Sequence, residues 1–459
     1  MTPDSPLARH RPAPGTRLRA ACLAGALALA SQAALAWSNH ALGTWPAMAA
    51  LPEVAQAAPV PAESLERFLA AQGDKLVALL AQEEQWARQQ VPNYPPLPDA
   101  LRFRTDQASP AQLRERFIEA LRLNPLSRLT LFVQLPPDQT AMGRPTMPWD
   151  QVTPMQRDEA VKKQTFLALR EGEPVPVVDV LASASDEPDY GLDIGLWEDN
   201  GTAQGKRYAM GKQPFGNPAL EFASQAPMHM GFFHEAGIIY LAAPFLKRTY
   251  PEYRVHLYAT LSRFALRNGH PYWGWRFGGW AMHYLQDLTQ PYHARVLPGV
   301  GVPTMLWVNT IDLVGIGAPK RDAITLVSNR HLALENYQRH RLLGAAAAPA
   351  DALLAALRNT AGDVGAPFSA AALRETVTRE AVARSDAVDT TLAKLMPARY
   401  VSDPAYTLGE TEPEPDLAAL LQRQDPASVK AMDATLGELL QSFGRHSRAL
   451  VRSLLAPGP

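Results

Sequence analysis

The sequence predicts an all-α fold of many helices. Apolar residues recur at three- and four-residue steps in segment after segment, strand signals are few, and no internal repeat divides the 459 residues. Hydrophobic residues make up 47% of the chain, which is ordinary for a globular protein and at this length suffices for one large core.

The amino-terminal segment, residues 1–36, reads as a secretory signal. Arg9, Arg11, Arg17 and Arg19 lead it, residues 20–30 form a short apolar core, and Ala34-Leu35-Ala36 places small residues at a cleavage site. Cleavage there leaves Trp37 first. No later segment approaches the length of a transmembrane helix, so the expectation is an unanchored product, secreted or periplasmic. Cys22, the only cysteine, falls inside the signal, so the mature chain is expected to contain no disulfide. The chain carries a net charge of -1; the first 36 residues hold four Arg and one Asp, a net +3, which leaves the remainder at -4. That balance offers no global basic surface for nucleic-acid phosphates.

After Trp37-Ser38-Asn39-His40 and an Ala/Pro-rich passage, helical periodicity covers residues 64–88 and 110–123, with a proline-rich loop at 91–98 between them. Residues 135–154 are rich in Pro, Gly and polar side chains. Residues 156–170 and 175–184 read as helices, and 186–216, with many Gly, Asp and Pro residues, as irregular. Helices are expected again at 233–246, 253–268 and 273–290, the last entered by Tyr272, Trp273, Trp275, Phe277 and Trp280, which read as core. A loop at 298–321 precedes helices at 323–340, 350–357, 370–395 and 428–455. Residues 37–459 are therefore expected to form a single helical domain, with a helical carboxy-terminal extension from about residue 345.

The most informative stretch is His283-Tyr-Leu-Gln-Asp287-Leu-Thr-Gln-Pro291-Tyr-His293. On a helix His283 and Asp287 lie four residues apart, one above the other on one face. Pro291 ends the helix, so that His293 can turn back toward them. Nitrogen and oxygen donors converging in this way suit zinc.

These residues, together with Trp37 and the later pair His331 and Glu335, resemble the zinc-dependent phospholipase C and single-strand (S1-P1 type) nuclease superfamily. Its hallmarks are a mature amino-terminal Trp, His-x-x-x-Asp-x-x-x-Pro-x-His, and a following His-x-x-x-Glu or His-x-x-x-Asp, matched here in order. The resemblance implies a multi-helix phospholipase C/P1 nuclease-like domain with insertions and three zinc ions. A free Trp37 amine and its own carbonyl oxygen could chelate a metal in a five-membered ring. The early histidine of the family is matched by His40. For the family's intervening carboxylate, Asp186 at the end of Leu181-Ala-Ser-Ala-Ser-Asp186 is preferred over Asp189 and Asp193. For its intervening histidine, His229 in Met228-His229-Met230 is preferred over His234.

The allocation so implied puts Asp186, His229, His283 and Asp287 around one zinc, Trp37, His40 and a shared Asp287 around its neighbour, and His293, His331 and Glu335 around the third. Asp186 and Asp287 are the carboxylates expected to be catalytic. The implied reaction is hydrolysis of a phosphodiester by a metal-bridged hydroxide. One branch of the family cleaves phospholipid head groups and the other single-stranded nucleic acid. The absence of mature cysteines, the mildly acidic charge, Glu335 and the apolar residues Met305, Leu306, Trp307, Val308 and Ile311 lean toward phospholipid, with transient contact at a membrane surface and no stable protein partner. The alternatives are a single-strand nuclease or 3′-nucleotidase and an exported zinc-binding protein without turnover.

Overall fold

The computed structural model describes residues 37, 39–155, 159–216, 222–313, 315–348, 350–363, 368–408 and 416–457. The expected signal and its cleavage site up to Ala36 lie outside these residues, as does the start of the helix expected at 156–170. The protein is mostly helical, with 62% helix against 3% strand, so the all-α class stands. The helices that position the site are α1 (His40–Ala49), α2 (Leu65–Gln90), α3 (Pro110–Ala120), α4 (Val177–Asp186), α5 (Ala226–His229), α6 (Gly237–Ala242), α7 (Pro251–Arg267), α8 (Pro271–Asp287), α9 (Pro291–Ala294), α10 (Val302–Leu313), α11 (Ala318–Ala346), α12 (Ala352–Arg358), α13 (Arg379–Leu395) and α14 (Pro426–Leu455). Two small antiparallel sheets brace the periphery. In one, β1 (Val60–Pro61) pairs with β5 (Pro174–Val175); in the other, β4 (Phe166–Ala168) lies between β2 (Phe132–Gln134) and β3 (Thr146–Met147).

The centre of the fold is α8, Pro-Tyr-Trp-Gly-Trp-Arg-Phe-Gly-Gly-Trp-Ala-Met-His-Tyr-Leu-Gln-Asp, which is buried on every side from Tyr272 to Asp287. A helix apolar around its whole circumference must be surrounded, and α7, α4 and α14 surround it. Large aromatics fill the layer: Trp273, Phe277 and Trp280 meet at 5.1–6.4 Å between ring centroids. Glycine permits the closest approach. A Cβ on Gly279 would collide with the Ala184 Cβ and lie 2.9 Å from the Leu181 carbonyl oxygen, so α4 can sit flush against α8 only because that side chain is missing. This contact carries the end of α4 to the level of His283.

Three expectations are corrected. Among the described residues of 156–170 only Glu159–Lys162 is helical, and Phe166-Leu167-Ala168 is a short apolar run that pairs with β2. Helix at 233–246 is broken into α6, which Gly237 opens, and a 3-10 turn, Pro244–Lys247, that Pro244 begins. The segment 298–321 is not an open loop. It holds α10 and the start of α11, whose prolines, Pro303 and Pro319, sit in the first helical turn, where a missing N–H costs nothing. The carboxy-terminal helices α12, α13 and α14 are not peripheral: α14 packs on α1 and α8 as well as on α12 and α13. No helix among the described residues is long and apolar enough to cross a membrane.

Candidate metal centre

His283 and Asp287 share one face of α8, as their spacing requires, and Pro291 separates α8 from the short α9 that carries His293. The Gln290 side chain caps α9 by accepting the Tyr292 amide at 2.6 Å. His293 is then clamped from both sides: its Nδ1 donates to the His229 carbonyl at 3.0 Å, and its own carbonyl accepts the Gly231 amide at 2.8 Å. His229 ends α5, so this clamp fixes two histidines from distant parts of the chain at once.

His283, His40 and His293 are each held by one nitrogen so that the other faces inward. His283 Nδ1 donates to the Ser185 carbonyl at 2.7 Å, which leaves Nε2 as a lone pair. His40, the first residue of α1, has Nδ1 2.8 Å from Gln286 Oε1. The Gln286 amide nitrogen donates to Thr44 Oγ1 and Ser447 Oγ, both at 3.0 Å, so its oxygen must accept and His40 Nδ1 must be the N–H. His229 turns Nε2 toward Asp193 Oδ2 at 3.4 Å and Nδ1 toward the centre. Asp193 is in turn held by Arg254 and Tyr284. The redirection of the chain that makes this possible is at Gly191, whose φ of 97° lies in the left-handed region that glycine tolerates.

The inward atoms converge on Asp287. Its two oxygens lie 2.9 Å from His229 Nδ1, 3.3 Å from His40 Nε2 and 3.5 Å from His283 Nε2. Asp189 stands opposite, 3.7 Å from His283 Nε2, 3.8 Å from His229 Nδ1 and 3.8 Å from His40 Nε2. Two groups of donor atoms therefore adjoin, His40 with His283 and Asp287, and Asp189 with His229 and His283. A third group joins His293, His331 and Glu335, with His331 Nε2 2.7 Å from Glu335 Oε1 and the His293 and His331 rings edge to face at 4.9 Å. Tyr292 stacks on His331 and fixes its plane.

These residues are almost completely buried, yet His40 Nε2, both Asp287 oxygens, Asp189 Oδ1, His293 Nε2 and His331 Nε2 have no hydrogen bond of proper geometry. Orphaned buried polar atoms are costly. A cation among them removes that cost, and nitrogen and carboxylate donors without thiolates fit zinc. Electrostatics point the same way. Burial drives the His283 ring well below its ordinary pKa and His293 down to about 3, so both are neutral donors. At His229 burial is outweighed by Asp287, Asp193 and Asp189, which draw the ring up to about 10: the carboxylates here demand positive charge. Burial also pushes the Asp189 carboxyl well up. The described residues hold groups able to bind metal ions.

Asp186, the carboxylate preferred from sequence, belongs to none of the three groups. Its Oδ1 accepts the Ala41 amide at 3.1 Å, tying α4 to α1, and burial pushes its pKa up to about 6. Asp189, three residues on, groups instead with His229 and His283. His234 is engaged elsewhere, with the Arg374 carbonyl and Thr378. Trp37 is buried beside the centre, where its Nε1 donates to the Gln286 carbonyl at 3.0 Å and its ring meets Phe443 edge-on. Gln286, Arg254 and Ser447, which hold the site in place, are not singled out by the sequence, and Asp193 is offered there only as an alternative to Asp186. The only available signal was the position of Gln286 directly before Asp287.

Compared with protein-family models, curated proteins and solved structures, the chain matches none.

Proposed function

We propose that this protein is an exported, zinc-dependent phosphoric ester hydrolase resembling the phospholipase C and single-strand nuclease superfamily, with phospholipid head groups as the preferred substrate. The observation that carries this reading is the convergence of His40 Nε2, His229 Nδ1 and His283 Nε2 on the two oxygens of Asp287, beside a separate His293, His331 and Glu335 group. A purely structural zinc site needs four ligands, closed around one ion. Five donor side chains gathered here, His40, Asp189, His229, His283 and Asp287, exceed one closed four-ligand site and suit a multinuclear centre instead. Zinc bound there would lower the pKa of a coordinated water and neutralise phosphoryl charge. In this reading His40, Asp189, His229, His283 and Asp287 hold the adjoining ions, and His293, His331 and Glu335 hold the third. Gln286 and Asp193 orient their histidines, and the buried aromatics around α8 keep solvent from the back of the site.

Elemental analysis of the processed protein tests the reading, together with release of head group from phosphatidylcholine and cleavage of single-stranded DNA. About three zinc ions per chain with head-group release supports it. Cleavage of DNA alone moves the protein to the nuclease branch. Bound zinc without turnover leaves an exported zinc-binding protein, and one ion or none removes the hydrolase reading.

A further inference from the structure

Two stretches of the chain contain no charged residue, 236–246 and 296–311. They fold into α6 and α10, and these helices pack against each other. Their inner side chains, Ile239 and Met305, join Phe215, Met230, Phe232 and Leu246 in an apolar cluster separate from the main core. Their outer side chains do not find cover: Leu241 is 81% exposed, Trp307 57% and Ile238 49%. Trp307 is the only one of the nine tryptophans with this exposure, the others being buried or half-buried.

The cluster beneath this face is also the wall of a cavity. Phe215, Met230, Phe232 and Leu246 line it on one side, and His331 of the third donor group, stacked on Tyr292, lines it on the other. The apolar cluster under the exposed face thus shares residues with the lining of a cavity that reaches a residue of the metal centre. At the edge of the face Lys247 is exposed, its Nζ over the Tyr240 ring at 4.9 Å.

We propose that the α6–α10 face seats the protein on the surface of a lipid bilayer, with Leu241 and Trp307 inserted at the level of the glycerol backbone. A soluble surface rarely leaves a tryptophan and neighbouring large aliphatics exposed together without a partner. Tryptophan partitions to the boundary between head groups and chains, and a helix lying in that plane is held by its apolar side. The absence of charge from both stretches matches a zwitterionic surface, and Lys247 is placed to reach a phosphate from the edge. The cavity sets this face apart from others: the apolar cluster beneath it also lines the cavity that reaches His331. The choice of a lipid surface rests on the phosphodiesterase reading, but adsorption is measurable without turnover.

The test uses vesicles of phosphatidylcholine alone, with wild-type protein and the double variant Leu241→Glu/Trp307→Glu, both positions being exposed and outside the metal centre. Flotation is expected to recover the wild type with vesicles and the variant at least about tenfold less, since two charges must then enter the interface. Vesicles brominated near the head of the chain are expected to quench wild-type fluorescence but not that of Trp307→Phe. Equal flotation of wild type and variant overturns the proposal. So does failure of the wild type to float, or a wild-type dimer that the variant dissociates while neither binds vesicles, which makes the face a contact between copies. If the wild type floats but does not hydrolyse lipid, docking stands and the catalytic reading falls.

Discussion

Gln286 is the residue at which fold and site can be separated experimentally. Its side chain accepts from His40 at 2.8 Å and donates to Thr44 and Ser447 at 3.0 Å, so Gln286→Met, which nearly preserves volume, deletes three buried hydrogen bonds in one step. At about 1 kcal/mol each, the metal-free protein should lose about 3 kcal/mol. His40 would also lose the partner that fixes its tautomer, and removal of such a partner weakens zinc about 10–100-fold. Denaturant titration of chelator-treated protein reads the first quantity, and competition with a zinc indicator of known affinity reads the second. Lost stability with unchanged zinc affinity would refute the assignment of His40 Nε2 as a ligand. Unchanged stability would refute the hydrogen-bond network itself.

Asp287→Asn should abolish tight zinc binding at the adjoining groups and lower turnover by at least about a thousandfold, with the helical circular dichroism retained; retention of both zinc and activity would remove Asp287 from the centre. Chelation should lower the unfolding midpoint of the wild type, because an ion bound only by the folded state stabilises by mass action, and a midpoint indifferent to zinc would argue against binding. Gly279→Ala should cost about 1–3 kcal/mol by driving α4 off α8 and should weaken zinc as well, since Asp189 follows α4; normal denaturation of this variant would contradict the close approach of the two helices. Glu380 supplies a pH test remote from the metal ligands. Burial raises its carboxyl, but His446 at 3.0 Å, Arg445 and Ser442 more than offset this and hold it down to about 2. Its contribution is therefore complete above the unfolded value of about 4.5 and is lost as pH falls from there toward 2. After allowance for solvent screening it amounts to about 1–2 kcal/mol. Glu380→Gln should lose that amount at neutral pH and show a flatter decline on acidification; a parallel decline would place the acid sensitivity elsewhere.

What could be read in advance was whatever depends on near neighbours in sequence. His283 with Asp287, and His331 with Glu335, are single turns of helix, and Pro291 stops α8 wherever it occurs, so their geometry follows from spacing. The periodic segments of α2, α3, α7, α8, α13 and α14 were legible for the same reason. Asp189 was not separable from Asp186, because which of two acids three residues apart faces the centre depends on the turn Glu187–Tyr190 and on how α4 seats on Gly279. Asp193 was legible only as an alternative ligand, because its role beside His229 depends on Arg254 and Tyr284, 61 and 91 residues away along the chain. The helix α10 was missed because Gly and Pro were read as breakers throughout, although proline in a first turn breaks nothing.

The distance in sequence between His40 and Ser447 has a consequence for how the protein matures. His40 takes its orientation from Gln286, and Gln286 is braced by a hydroxyl on α14, which is synthesised after all the residues of the three donor groups. Phe443 of the same helix packs on both Trp37 and His40. A nascent chain that lacks α14 possesses every metal donor but not the frame that aims the first of them. The aim of His40 thus depends on a helix made long after it, and a chain cut short before α14 keeps the donor residues without the brace that orients the first of them.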